Sequence, residues 1–320
     1  MGRPNVTSAD VAKAAGVSRA TVSYVLNGVD ARVSEETRKR VLEVAETLGY
    51  TPHAMASALR AGRTSVVLLA LPAWPLGQVL ADRVTACVTE LERLGYTPLV
   101  HFRHGAGPEA LVRACDRIRP VGLIAPSTDL APRRVEVLQA NGTRAVIALS
   151  GTPLDHVPAY TFEQPMVGRV AIEHLAERGH THVLALLPDE PELIVLGKHR
   201  LAGALEAAAE RGVTVTPTHL DGFSVDSGAT AVFAFNDEYA LTALDLLLAA
   251  GLTPPDPIAL VGADNSPAAR HAHPRLTTIA LGSNRGWERI AQRLHTIVED
   301  EDEDTSPIVE HPTLVPGATT

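Results

Sequence analysis

The sequence has few aromatic residues, only two cysteines and no long apolar run. Aromatic residues make up 4% of the 320 residues, so Ala, Val and Leu must supply most of the core. Cys87 and Cys115 are too few for a disulfide framework, and we expect both to be small buried hydrophobes in a reducing compartment. No stretch reaches the ~18 apolar residues that span a bilayer. The residues after Met1 do not resemble a signal peptide, and we expect a cytoplasmic protein with no membrane contact.

The chain also lacks an overall basic charge, since its formal net charge is −9 at pH 7. This balance argues at first against a nucleic-acid partner. The distribution reverses that conclusion, because residues 1–63 carry nine Lys or Arg against six Asp or Glu, and the remainder carries nineteen against thirty-one. A basic N-terminal module on an acidic body is typical of a chain that meets phosphate at one end. The apolar fraction of 45% is enough for a sizeable core.

Three short helices are predicted in the first fifty residues. The first opens at Thr7 and ends at Gly16, which can take the left-handed conformation. The second runs from Arg19 to about Asn27, and a third ends at Gly49. A tight glycine-containing turn between the first two helices is typical of a helix-turn-helix, although any small helical bundle has similar apolar spacing.

From residue 65 the pattern changes to apolar runs that alternate with helical stretches. Runs such as Val66–Leu71 and Ala145–Leu149 are continuously apolar, as in strands that are buried on both faces. This alternation predicts a parallel α/β architecture. It pauses over a proline-rich interval at 153–165 and then resumes, which predicts two similar subdomains with a cleft between them.

The segment VTSADVAKAAGVSRATVSYVLN, from Val6 to Asn27, closely resembles the headpiece of the lactose-repressor/purine-repressor (LacI/GalR) family of transcriptional regulators. The resemblance extends over nearly the whole chain. Further matching segments are Val33–Arg38, Leu48–Pro52, Leu59–Arg60, Ala176–His180, Arg200–Gly203, Thr230–Ala240, Val261–Asn265 and Pro274–Ile279.

The resemblance implies an N-terminal all-α helix-turn-helix headpiece plus an α/β periplasmic-binding-protein-like body of two parallel-sheet subdomains. The headpiece is expected at 1–50, a hinge or linker helix at 51–63, and an effector-binding and dimerisation body at 64–320. The subdomains are expected at about 64–160 plus 280–298, and at about 161–279 plus 305–320.

The resemblance also implies a sequence-specific transcriptional regulator, expected to be a repressor, that binds a palindromic double-stranded operator as a homodimer. A small-molecule effector in the cleft, such as a sugar, a nucleoside or another metabolite, is expected to modulate it. Two alternatives stay open: a ligand-independent regulator with a degenerate effector pocket, and a small-molecule binding protein or enzyme on the same scaffold. The sequence contains no Gly-x-Ser-x-Gly elbow, P-loop or zinc-hydrolase motif, so we expect neither an enzyme nor a cofactor.

Candidate DNA contacts lie on the second helix and in the linker. Arg19, Ala20 and Tyr24 share one helix face, where Arg19 can pair with guanine or touch only phosphate. The resemblance implies that Leu59 enters the minor groove beside Arg60, although Leu59 can instead pack only against a second linker helix. The short polar side chains expected at phosphates are Thr7, Ser18, Thr21, Ser23 and Asn27, of which the first two can instead only cap helices.

The resemblance places four effector contacts in the cleft. Arg200 can clamp a carboxylate, a phosphate or a hydroxyl, Asp237 and Asp264 can accept from sugar hydroxyls, and Phe223 can stack on a ligand ring. Each can instead have a structural role in a cap or an ion pair. The loop Pro72–Leu80 departs from the family, because it is apolar where the family has a polar segment. The effector is therefore expected to be more apolar than a sugar, or absent.

Two weaker signals carry no expectation of a site. Gly105–Ala110 formally matches a GxGxxA motif, but it lacks the chain-initial strand–helix–strand position of a dinucleotide-binding unit. Three pairs of closely spaced histidines lack the carboxylate or cysteine that would complete a metal site at short spacing. We expect neither a dinucleotide nor a metal.

Overall fold

The computed structural model describes residues 6–26, 33–50, 64–72, 74–75, 77–103, 107–300 and 306–320. The contacts divide the chain into two compact units, 1–65 and 66–320. The expected linker helix at 51–63 lies outside the described residues. Within the described part of the chain, no helix is long and apolar enough to cross a membrane.

The first unit is built from helices around a small aliphatic core. The described helices are Ser8–Ala15 (α1), Arg19–Leu26 (α2) and Glu35–Leu48 (α3). All three contribute buried side chains to the core, which consists of Val11, Ala12, Ala15, Val22, Val25, Val41 and Ala45. Arg40 on α3 also donates from Nε to the Ala15 carbonyl at 3.1 Å, which fixes α3 against the end of α1. The predicted helix-turn-helix is confirmed.

The second unit alternates strands and helices. Its strands are Val66–Pro72 (β1), Thr97–Arg103 (β2), Gly122–Pro126 (β3), Ala145–Ser150 (β4), Ala159–Phe162 (β5), His182–Leu186 (β6), Thr214–Thr218 (β7), Ala231–Ala234 (β8), Ala259–Ala263 (β9), Thr277–Ala280 (β10), Ile308–Glu310 (β11) and Thr313–Val315 (β12). Its helices are Gln78–Arg93 (α4), Gly107–Ile118 (α5), Pro132–Ala140 (α6), Gln164–Glu177 (α7), Ile194–Arg211 (α8), Asp237–Ala249 (α9), Pro267–His271 (α10) and Asn284–Val298 (α11).

The strands form two sheets of the same design. The first has the order β11-β5-β4-β3-β1-β2 and the second the order β12-β10-β9-β8-β6-β7. Neighbouring strands are parallel except for the antiparallel pair of β10 and β12. In each sheet the order reverses at one strand, at β1 in the first and at β6 in the second. Such a switch point opens a crevice at the carboxyl ends of the strands, where ligands bind.

The chain passes between the two sheets three times: from β5 to α7, from β10 to α11 and from β11 to β12. Helices α4 and α11 cover one face of the first sheet, where Trp287 is completely buried. On the second sheet, α7 and α8 approach each other closely. A Cβ at Gly168 would overlap the Arg200 carbonyl and one at Gly203 would overlap the Pro165 carbonyl. This close approach brings the N-terminal turn of α7 to the middle of α8.

The structure differs from the expected subdomain limits at the C-terminal end. Residues 305–320 were expected in the second subdomain, but Ile308–Glu310 pairs with β5 in the first sheet, with Ile308 opposite Tyr160. Ile308 is apolar and only 4% exposed, so its burial beside β5 accounts for this placement. Only the next strand, Thr313–Val315, joins the second sheet.

Candidate functional site

The start of α2 is fixed by local hydrogen bonds. Gly16 has a φ of 66° and ends α1, so the chain turns within two residues. The Ser18 hydroxyl then accepts from the Thr21 backbone N–H at 3.0 Å and lies 2.9 Å from the Thr21 hydroxyl. This N-cap sets the direction in which the first turn of α2 presents its side chains.

The outward face of α2 carries the three predicted base contacts. Val22 and Val25 are buried against the core. Arg19 and Ala20 are exposed, and Tyr24 is 46% exposed. The structure therefore brings Arg19, Ala20 and Tyr24 together on one accessible surface at the start of a helix. A charged fork, a methyl group and a phenol in this arrangement suit the edges of base pairs in a major groove.

The polar residues that were predicted to contact phosphates have different surroundings in the structure. The Thr7 hydroxyl donates to Asp10 Oδ2 at 2.6 Å, and the Thr7 N–H donates to the same oxygen at 2.8 Å. Thr7 and Ser18 are therefore helix caps whose hydroxyls already have partners. Thr21 shares the cap of Ser18, and Ser23 is half-buried on α2. Asn27, Leu59 and Arg60 lie outside the described residues.

In the second unit, Arg200 and Asp264 form an ion pair across the carboxyl ends of the second sheet. Arg200 is 5% exposed, and its Nη2 lies 3.3 Å from Asp264 Oδ1. Its Nε donates to Gln164 Oε1 at 2.8 Å, and its Nη1 donates to the Phe235 carbonyl. The guanidinium also lies 4.6 Å from the centre of the Phe235 ring. Arg200 thus ties α8 to the first turn of α7 and to the end of β8.

Asp237 is a buried carboxyl group at the first position of α9. It is 1% exposed, and its oxygens accept from the Ser266 N–H at 2.6 Å and from the Thr278 hydroxyl. Burial raises the pKa of Asp237 to about 6, against the lowering effect of these hydrogen bonds. Both oxygens are therefore occupied by the second subdomain itself, as in the structural role that the sequence left open.

The loop after β1 reaches across the cleft. Trp74 packs against the apolar cluster of the second subdomain, as does the half-buried Phe223. Beside it, a Cβ at Gly77 would lie 3.3 Å from Glu238 Oε1, so the start of α4 meets the start of α9. The sequence marked this loop as apolar but did not show where its tryptophan packs.

The sequence also missed a second polar cluster on the same side of the cleft. Tyr239 donates to Glu190 Oε2 at 2.6 Å and accepts from the Asp189 N–H at 3.0 Å. His219 Nδ1 lies 2.7 Å from Asp189 Oδ1. These side chains follow β6, β7 and β8, so their position at strand ends was the signal available in the sequence. In the described ranges, no three His, Cys, Asp or Glu side chains group as a metal site requires.

Comparisons with known proteins agree with both units. A family model described as bacterial regulatory proteins, lacI family, matches residues 7–53, and one described as a periplasmic binding protein-like domain matches residues 172–320. The HTH-type transcriptional regulator DegA of Bacillus subtilis is 27% identical over 89% of this chain and 93% of its own. The HTH-type transcriptional repressor PurR of Aliivibrio fischeri is 27% identical over 97% and 96%.

Solved structures show the same arrangement of elements. A Lac repressor dimer bound to operator and the anti-inducer ONPF is 25% identical, with a TM-score of 0.81 over 99% of both chains. A complex of the transcriptional regulator CelR with cellobiose is 27% identical, with a TM-score of 0.62 over 99% of this chain and 100% of the other.

Proposed function

This chain belongs to the LacI family of bacterial regulatory proteins, and on that premise we propose that it is a sequence-specific transcriptional regulator that represses from a palindromic operator. It acts as a homodimer on double-stranded DNA, and its relatives are named as regulators rather than enzymes. One observation carries the proposal: α2 presents Arg19, Ala20 and Tyr24 on one exposed face behind a fixed cap. Because its target is DNA, we place the protein in the cytoplasm.

We assign one role to each of the three expected parts of the chain. The headpiece at 1–50 reads the operator half-site, with Thr21, Ser23 and Asn27 toward phosphates, while Thr7 and Ser18 hold the starts of α1 and α2 as caps. The linker at 51–63 supplies Leu59 and Arg60 to the minor groove. The body at 64–320 dimerises and binds a small molecule in the cleft, with Arg200, Phe223 and Asp264 on the second-subdomain side. Asp237, first expected among these contacts, supports that side through its hydrogen bonds with Ser266 and Thr278.

Genome-wide footprinting of the bound protein tests the DNA-binding proposal. We expect protected sites with two-fold symmetry, and we expect a purified operator to compete for the protein far better than a scrambled duplex. Protection that is uniform over all sequences, or that never shows paired half-sites, contradicts the proposal.

A second candidate is a ligand-independent regulator. It is favoured by the internal partners of Arg200 and Asp237 and by Trp74, which packs where the cleft closes. In this case Trp74 holds the two subdomains together in place of an effector. Trp74→Ala should then weaken operator binding, and no sugar, nucleoside or sugar phosphate should change the operator affinity of the wild-type protein. A change with any of these compounds instead supports the effector-controlled regulator.

A further inference from the structure

Arg83 is a cation of the first subdomain that faces the second. It lies on α4, and its Nη2 donates to the Gly282 carbonyl over a long distance of 3.4 Å. Gly282 lies on the crossing between β10 and α11. Two charges of the second subdomain influence the pKa of Arg83: Asp264 raises it and Arg200 lowers it. The guanidinium therefore lies beside the crossing that joins the two subdomains, with its central carbon 3.6 Å from the position of a Cβ at Gly282.

The carboxylates around Arg83 are already engaged by other donors. Asp264 pairs with Arg200 at 3.3 Å. Glu310 accepts from the Tyr160 hydroxyl at 2.9 Å and from the Ser283 hydroxyl at 2.8 Å. Among the described residues, no carboxylate oxygen lies within ion-pair distance of Arg83. A guanidinium has five N–H donors, so most of those on Arg83 have no protein acceptor there.

Arg200 provides an internal contrast with Arg83. Its guanidinium binds Gln164, the Phe235 carbonyl and Asp264, all within the second subdomain. Burial has the largest effect on the pKa of Arg83 and lowers it, as does Arg200, whereas Asp264, Tyr160 and Glu310 raise it. Arg83 is partly buried, and a cation that is withdrawn from water with incomplete partners is unfavourable until an anion reaches it.

We infer that Arg83 is the specificity-determining residue of the cleft and that the effector carries a carboxylate or a phosphate. This inference rests on the proposed function, because it requires a cleft that binds an effector. An arginine fork binds either group with two parallel hydrogen bonds, and a neutral hydroxyl gains much less from the charge. The apolar side of Trp74 and Phe223 then contacts the uncharged part of the same molecule.

Thermal unfolding of the full chain with four probes tests this inference. The probes are inorganic phosphate, glucose 6-phosphate, gluconate and glucose, with potassium chloride at matched ionic strength as the reference. A ligand that binds the folded state raises the melting temperature. We expect inorganic phosphate, glucose 6-phosphate or gluconate to raise the melting temperature of the wild-type protein, and we expect glucose to leave it unchanged. Comparing glucose 6-phosphate with gluconate separates the two anion classes.

Two variants assign the effect to Arg83. Arg83→Met should weaken binding of the active anion at least tenfold, whereas Arg289→Met, which removes an exposed arginine from α11, should leave it unchanged. Arg83→Lys should give an intermediate affinity, because it keeps the charge but not the fork. Without ligand, Arg83→Met should melt at the same temperature as the wild type or higher, since it removes a poorly compensated cation.

Three results overturn the inference: no anion shifts the wild-type protein, the anion shifts Arg83→Met equally, or Arg83→Met without ligand melts several degrees lower and Arg83→Lys restores it. The last result would make Arg83 a structural ion-pair residue. Operator binding of the wild-type protein is measured in parallel. If it persists while the anions have no effect, only this inference fails; if it is absent, the proposed function fails.

Discussion

At the residue scale, Arg19 is the side chain on which the proposed base reading depends most directly. It is exposed at the first position of α2, where a bidentate contact with guanine O6 and N7 is sterically open. We predict that Arg19→Ala costs about 1–3 kcal/mol per half-site and relaxes specificity at one base pair. Binding to a set of operators with single base-pair changes measures both quantities.

Lys39→Ala is a matched control for Arg19→Ala, because Lys39 is an exposed cation of the same unit that lies on α3 rather than on α2. It should change all operator variants by the same factor, as the loss of a general positive charge does. If Arg19→Ala also produces a uniform loss, Arg19 touches phosphate and the base contact is refuted.

Asp237 gives a second prediction at this scale, because burial raises its pKa from 3.8 to about 6. The folded protein therefore holds the proton more tightly than the unfolded chain does. The stability from this group is complete below pH 3.8 and is lost as pH rises through 6. The loss is on the order of 3 kcal/mol, from about 1.4 kcal/mol per pKa unit.

Asp237→Asn removes this titration. Its absolute stability should be lower, since the amide cannot accept both from the Ser266 N–H and from the Thr278 hydroxyl. The informative quantity is the change with pH: from pH 4 to pH 7 the wild-type body should lose stability relative to the variant. Urea unfolding at several pH values measures this difference, and parallel curves would show that Asp237 has an ordinary pKa in the folded protein.

At the scale of elements, the cap of α2 separates a structural role from a DNA contact. Ser18→Ala removes the hydrogen bond from the Thr21 N–H, which should cost about 1 kcal/mol of headpiece stability. Ser18→Asn keeps a capping side chain, so it should restore the stability. Thermal melts and operator titrations of both variants are compared. A phosphate contact is indicated if Ser18→Asn is stable but binds operator more weakly, and a pure cap if both properties recover together.

Most elements of the fold could be predicted from local signals. Gly16 and Gly49 end their helices in left-handed conformations, as expected. Elements without such signals were missed. Thr214–Thr218 is a polar edge strand with no apolar run, and Ala159–Phe162 lies inside a proline-rich interval. Both strands form because a neighbouring strand pairs with them, which local composition does not record.

The candidate site could be predicted only in part, for a related reason. The pairing of Arg200 with Asp264 joins residues that the sequence had already singled out. The other partners of the predicted site residues come from distant segments of the chain. Gln164 accepts from Arg200, and Thr278 donates to Asp237. Arg83 has no motif around it, and its importance appears only when α4 is placed beside the crossing at Gly282.

For the whole molecule, the charge distribution agrees with the division into two units. Residues 1–63 are basic and the remainder is acidic, although the chain as a whole carries a net charge of −9. An acidic body repels DNA, so specific binding has to come from headpieces that are brought to the duplex in pairs. One headpiece per chain reads one half-site, and a two-fold symmetric dimer requires a two-fold symmetric operator.

We therefore predict that a palindrome binds one dimer with far higher affinity than a single half-site does, because the second headpiece binds at a high effective concentration. Each phosphate contact releases counterions, so the affinity should fall steeply as salt increases, with a slope of about −0.9 per contact in a plot of log K against log salt.

Gel-shift titrations on the palindrome, on a half-site and on a palindrome with altered spacing measure these effects, with sedimentation to count chains per duplex. The half-site should lose affinity and also show the shallower salt slope, since it engages one headpiece. Altered spacing should behave like the half-site, because a two-fold symmetric dimer matches only one distance between half-sites. A single chain that binds the half-site as tightly as the palindrome, with the same salt slope, would contradict the dimeric mechanism.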